Sequence, residues 1–185
     1  MIAALLLAAV VAGPTTFRLD PGRAEAGFDL KATMHTVHGT THRVIGQIRC
    51  VPEEGGALSL SGIIEIDAAS LDTANDRRDA KLHKTSLEVS RFPKITLEPD
   101  RFVPMATPGP DGELPGRLTG GLTIRGTTHP VTIDASLTVS PNGIDVVGRF
   151  DVSWAEFGVP DPSFAFVRVD RVAHAHFHAG FVAQP

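Results

Sequence analysis

Val131-Thr132-Ile133-Asp134-Ala135-Ser136-Leu137-Thr138-Val139 alternates apolar and polar residues at every step, the period of a β-strand with one dry and one wet face. Pro141-Asn142-Gly143 follows, and Asn-Gly takes the positive φ angles of a tight hairpin turn at little steric cost. Beyond it Ile144, Val146, Phe150, Val152 and Trp154 alternate with Asp145, Arg149, Asp151 and Ser153. The two runs are predicted to pair as an antiparallel hairpin.

The same reading extends in both directions. Ala24, Ala26, Phe28, Leu30 and Ala32 oppose Glu25, Asp29 and Lys31; Val44, Gly46, Ile48 and Cys50 oppose Gln47 and Arg49. Leu58, Leu60, Gly62, Ile64 and Ile66 oppose Ser59, Ser61, Glu65 and Asp67, and Leu118, Leu122 and Ile124 oppose Arg117, Thr119 and Arg125. Asp20-Pro21-Gly22 and Glu53-Glu54-Gly55-Gly56 read as two more turns, and the Pro-rich stretch from Pro104 to Pro115 reads as an exposed loop. About eight antiparallel strands, each with one apolar face, can stack as a sandwich or close into a barrel. An eight-stranded barrel has room for side chains or one small ligand, and Gly46, Gly62, Gly120 and Ala135 on inward faces would leave a channel.

Ile2 to Val11 is continuously apolar, too short to span a bilayer, and ends in small residues suited to cleavage. Residues 1–12 are therefore read as a signal peptide and 13–185 as one domain, exported to the periplasm or beyond the cell, with no membrane span after cleavage. The mature chain of roughly 170 residues is long enough for one core. Cys50 is the single cysteine, and its place on an apolar face marks it as a small buried hydrophobe. The net charge of −4 excludes nucleic acid as a partner, which needs a concentrated basic surface.

One polar cluster interrupts the strands, from Thr73 to Lys84. Asn75 or Asp76 can cap a short helix, after which Leu82 and Val89 would face the barrel and Arg77, Lys81 and Lys84 the solvent. That account is sufficient without a ligand, and an Arg78-Asp79 pair often only locks a loop. In the functional reading Arg78, Lys81 and His83 stand at the mouth and hold a phosphate or other polar head group.

His174, His176 and His178 alternate, so their imidazoles share one face with successive Cα atoms roughly 6.5–7 Å apart. With His35, His38, His42 or His83 they offer zinc or copper ligands. Ala173, Ala175, Phe177 and Phe181 make an apolar face for the same strand, which leaves the histidines as a solvated ladder, and that is the expectation. The runner-up function is accordingly a periplasmic Zn/Cu-binding barrel. No Gly-x-Ser-x-Gly, phosphate-cradling glycine loop or His-Glu-x-x-His occurs, so no enzyme is expected and no cofactor assigned.

Phe17-Arg18-Leu19-Asp20-Pro21, Val44-Ile45-Gly46-Gln47-Ile48, Arg78-Asp79 followed by Leu82, Phe92-Pro93-Lys94-Ile95-Thr96-Leu97, the run Gly121 to Ile133, and Trp154-Ala155-Glu156-Phe157-Gly158-Val159 together resemble the YceI-like family of lipid- and polyisoprenoid-binding proteins. Within it, His35-Thr36-Val37-His38-Gly39, Asn75-Asp76 and Asp161-Pro162-Ser163-Phe164 mark a branch. The resemblance implies an extended, lipocalin-like antiparallel barrel with a short helical insert, exported, holding an isoprenoid-type or fatty-acid-type ligand, with room for a homodimer. Ser86-Leu87-Glu88-Val89-Ser90 departs from the family, which often has two Phe there. The ligand-contacting set is expected to be Phe28, Val37, Val44, Ile64, Leu82, Leu122, Ile133 and Phe150, with Arg78, Asp79 and His83 at the polar end.

Overall fold

A computed structural model describes residues 13–140, 143–163 and 166–184. The strands are β1 (Thr15–Lys31), β2 (Thr36–Thr41), β3 (Val44–Pro52), β4 (Leu58–Asp67), β5 (Lys94–Pro104), β6 (Glu113–Ile124), β7 (Thr127–Ser140), β8 (Gly143–Ser153) and β9 (Val172–Ala183), with one helix, α1 (Asp76–Lys81). All pairings are antiparallel, and β1 pairs with β9 as well as with β2 and β3. Eight strands thus close into a barrel, which removes the sheet edges that a sandwich would leave.

The long strand β1 makes this closure. Its first part pairs with β3, Thr15 opposite Cys50 to Arg18 opposite Gln47, and its last part with β2, Ala26 opposite Thr41 to Lys31 opposite Thr36. The other edge follows β9 throughout, with a register shift between Leu19 and Ala24. Asp20-Pro21-Gly22 is therefore a bulge inside one strand rather than the expected turn. Pro21 has no N–H to give to a ladder, and Arg23 folds across Gly180 to reach Asp20 and Asp145, each at 3.2 Å. The β2 segment carries no apolar run of its own and was not predicted as a strand.

The hairpin that decided the fold is present: Ser136 pairs with Val147, Thr138 with Asp145 and Val139 with Ile144. Pro141 and Asn142 lie outside the described residues. Glu53 to Gly56 forms the expected turn, with Gly55 and Gly56 both at positive φ. The proline-rich loop is shorter than expected, since Pro104 ends β5 and Pro115 sits within β6.

Inward residues of these strands form one core that includes Phe17, Leu58, Phe102, Leu114, Ile144 and Phe181 at the end where β3 turns into β4. At the opposite end the connections are long: 68–93 between β4 and β5, and 154–171 between β8 and β9. Gly62 differs from expectation. It is exposed, lies at φ +137° beside the register shift between β4 and β5, and a Cβ there would run into the Gln47 backbone. It is a bulge residue and adds no interior space.

Candidate functional site: the barrel interior and its mouth

The barrel encloses a cavity of about 550 Å³, within the size range of small-molecule sites. Its wall is formed by apolar side chains of every barrel strand except β7's neighbourhood of Ile133, and includes Val44, Ile64, Leu97, Leu122, Phe150 and Ala175. The space arises where short inward side chains, Ala26, Ala173 and Ala175, stand among longer ones. The small residues expected to open it do not: a Cβ on Gly46 would meet Ile63 and Ile64, one on Gly120 would meet Glu98, and Ala135 is packed in the core.

Phe28, Val37, Val44, Ile64, Leu82, Leu122, Phe150 and Arg78 all line the cavity. Ile133 does not. It is fully buried at 0% exposure, and the Phe177 ring crosses Gly148 in front of it. Asp79 and His83 also lie outside the lining, because their polar atoms are used by the insert itself.

The insert is built as a capped turn. The Asn75 side chain accepts the Arg78 amide at 3.0 Å, satisfying a free helix donor, a contact worth about 1 kcal/mol. Leu87 N–H then reaches Leu82 C=O at 2.8 Å, widening the last turn into a π-type turn. Leu82 and Val89 pack with Phe28, Leu71 and Leu87, facing the barrel as predicted.

Thr73 is the hub of the mouth. Its amide and hydroxyl donate to Asp79, while Arg78 donates Nε to its hydroxyl at 2.8 Å and Nη2 to its carbonyl at 2.6 Å. Burial works to raise the Asp79 pKa, but the Thr73 hydroxyl and amide, the Asn75 backbone and the nearby His83 hold it below the ordinary carboxylate value. His83 donates Nε2 to the Leu71 carbonyl at 2.8 Å. The loop-locking role thus accounts for Asp79 and His83. Arg78 combines that role with a place on the cavity wall, and among the described residues no carboxylate pairs with it. Lys81 lines the mouth, the place that the functional reading gave it, and donates to the Pro162 carbonyl at 3.0 Å.

A second cluster fixes the rim. Arg125 pairs with Glu88 of the insert and donates to the Gly158 carbonyl, joining three connections at one point. His129 meets the Phe157 ring edge-on at 5.0 Å between centroids. Cys50 lines the interior near its floor, and burial pushes its thiol up to about 11, so it is a neutral wall residue at ordinary pH.

His174, His176 and His178 lie on the outer face, alternating with Ala175, Phe177 and Ala179, the latter two packed in the core. His174 and His38 donate to Asp151 and Asp29, each at 2.6 Å, and His178 stands 3.4 Å from Asp145. Among the described residues no three His, Cys, Asp or Glu side chains are arranged to hold a metal ion.

The sequence matches the profile of the YceI-like domain over residues 17–177. The chain belongs to the YceI-like family. Solved structures share the YceI-like fold at low identity. Burkholderia cenocepacia BcnA is 18% identical with a TM-score of 0.67, covering 87% of this chain and 98% of its own. A polyisoprenoid-binding domain from Saccharophagus degradans is 13% identical with a TM-score of 0.68, covering 92% and 99%. A Campylobacter jejuni YceI protein is 15% identical with a TM-score of 0.59, covering 83% and 88%. No curated protein matches the chain in sequence.

Residues that sequence reading missed come mostly from 154–171, where Trp154, Val159, Pro162, Val167 and Val169 line the mouth. That segment has no period to read. Its signal was an excess of apolar and Pro residues in a stretch whose one regular element among the described residues is the short 3-10 turn Trp154–Phe157.

Proposed function

We propose that this YceI-like barrel is an exported carrier holding one long apolar molecule, of isoprenoid or fatty-acid type, with its tail in the cavity and its polar end at Arg78 and Lys81. The observation that carries the reading is the cavity itself: about 550 Å³ of apolar wall inside a closed barrel, a volume that packed interiors do not leave without use. Each buried CH2 of a ligand contributes about 0.8 kcal/mol, so the tail dominates affinity and the head sets orientation. Arg78 suits that second role because Thr73 fixes its guanidinium and, among the described residues, no carboxylate pairs with it. The Saccharophagus degradans relative is described as a polyisoprenoid-binding domain, which supports the ligand class. Binding rather than catalysis is proposed because the wall is mainly apolar, with the cations Arg78 and Lys81 at its mouth.

Export rests on the apolar stretch Ile2 to Val11, which lies outside the described residues. The test is native mass spectrometry of the detergent-free protein after exposure to geranylgeraniol and to palmitate. One retained ligand per chain, lost in Ala175→Phe, is the expected result. Retention in that variant, or no retention by either, would contradict the carrier.

A further inference from the structure

Ala26 and Phe28 of β1 and Ala175 and Phe177 of β9 face the cavity as a checkerboard, with Phe28 opposite Ala175 and Ala26 opposite Phe177. Each phenylalanine has a second cross-strand neighbour on its other side, and both of these are glycines: Gly39 of β2 opposite Phe28, and Gly148 of β8 opposite Phe177. Both rings lie on their glycines. A Cβ on Gly39 would stand 2.6 Å from Phe28 Cζ, and one on Gly148 would stand 2.5 Å from Phe177 Cζ and 2.9 Å from Ile133 Cγ2, well inside the roughly 3.5 Å at which two carbons rest against each other.

Glycine is not required at these two positions by the backbone, since neither lies at positive φ. The nearest obstacles to a Cβ there are side-chain atoms, whereas at Gly46 and Gly120 the carbonyl oxygens of Ile63 and Glu98 stand in the way. Neither glycine touches the ligand space, because the rings cover them and the rings form the wall. What the missing side chain provides at both places is a seat for a ring. An aromatic side chain flanked by two small residues can lean to either side. Here both lean away from the alanines, and the lane over Ala26 and Ala175 stays open.

We infer that Gly39 and Gly148 are positioning residues of the ligand site, which set the width of that lane by seating Phe28 and Phe177 outside it. A methyl group on either glycine turns its ring towards the facing alanine and narrows the lane. Discrimination between a branched and an unbranched chain is then governed by two residues that no ligand touches. This rests on the carrier reading, and the experiment separates the two.

Affinities for geranylgeraniol, which carries methyl branches, and for palmitate, which has none, are measured by displacement of a fluorescent fatty acid. The proteins are wild type, Gly39→Ala, Gly148→Ala and the doubles Gly39→Ala/Phe28→Leu and Gly148→Ala/Phe177→Leu, with circular dichroism to show that each keeps its strands. Each single variant should bind geranylgeraniol about tenfold more weakly, the equivalent of about two CH2 groups left unburied, and should lose less affinity for palmitate. Each double, in which the shorter Leu leaves the seat to the new methyl group, should regain the wild-type ratio of the two affinities. No loss in the single variants, equal losses for the two ligands, or no recovery in the doubles would overturn the proposal. A single variant that does not fold would overturn it too, since its ring would then have no place over the alanine. The ligand-free crystal structure of Gly148→Ala should show the Phe177 ring over Ala26, and a ring anywhere else would contradict the seat whatever the chain binds. Wild type that binds neither ligand would count against the carrier instead, and the position of that ring would then decide the inference alone.

Discussion

At the end of the barrel where β3 turns into β4, Phe17, Leu58, Phe102, Leu114, Ile144 and Phe181 meet one another and are all buried. At the other end Phe28, Leu82, Ile95 and Ile124 stay half-buried around an opening, packed on the insert rather than across the barrel. The strands that supply both ends have the same alternating pattern. What differs is how they are connected: turns of a few residues let inward side chains close a floor, while long connections cover the mouth with loops held by hydrogen bonds. A floor made by packing is rigid. A cover made by loops is the part of such a molecule that opens at low cost.

The largest effect should come from the floor. Phe17→Ala is expected to cost about 3–5 kcal/mol of unfolding free energy, read by chemical denaturation. A cost below about 1 kcal/mol would mean that the floor is no better packed than the mouth.

At the rim, Arg125→Ala removes one of the two arginine partners of Glu88, the other being Arg91, and the donor to the Gly158 carbonyl. The expected loss is about 1–3 kcal/mol, and limited proteolysis should then cut first within 68–93 or 154–171. Cleavage elsewhere would show that these connections do not depend on the Arg125 joint.

Leu82→Ala takes an apolar side chain from the half-buried side of the insert, at about 1–2 kcal/mol, and should weaken apolar-probe binding more than it lowers stability. If global stability falls as far as in Phe17→Ala, the insert is core and not cover.

The smallest effect is a response to acid. The Asp79 carboxyl titrates below its ordinary value in the folded chain, so its contribution is complete above the unfolded pKa and fades as pH falls through the folded one. Amides of the insert should therefore lose protection, relative to their intrinsic exchange rates, below about pH 4, and in Asp79→Asn they should be poorly protected at neutral pH as well. An insert equally protected at pH 3 and pH 7 would show that Thr73 and Asp79 do not hold it.

The floor was legible in the sequence because its residues obey a period of two. Leu58, Ile144 and Phe181 could each be placed on an inward face without knowledge of their partners, whereas Leu114, buried in the floor, fell in the Pro-rich stretch read as an exposed loop. Ile133 was placed inward correctly but not behind Phe177, since which inward side chain covers another depends on register across three strands. Gly62 misled because a glycine on an apolar face and a glycine in a bulge look alike until a φ angle is known. The insert was legible at its start, where Asn75 caps as its residue type predicts, and illegible in its allegiance: only the fold shows Asp79 turned to Thr73 and Lys81 to Pro162. For 154–171 the sequence carried no periodicity, so half the mouth was unreadable.

The central claim is that volume in the barrel, and not charge at its mouth, governs binding. Titration of a fluorescent fatty acid into wild type, Ala175→Phe and Arg78→Gln tests it directly, with circular dichroism to show that each variant keeps its strands. Ala175 lies in the wall between Phe28 and Phe150 in register, so a ring there occupies the tail's path. The account predicts that Ala175→Phe abolishes binding while Arg78→Gln weakens it by about tenfold or less, the range of one hydrogen-bonded charge. Loss of binding in Arg78→Gln with full binding in Ala175→Phe would contradict it.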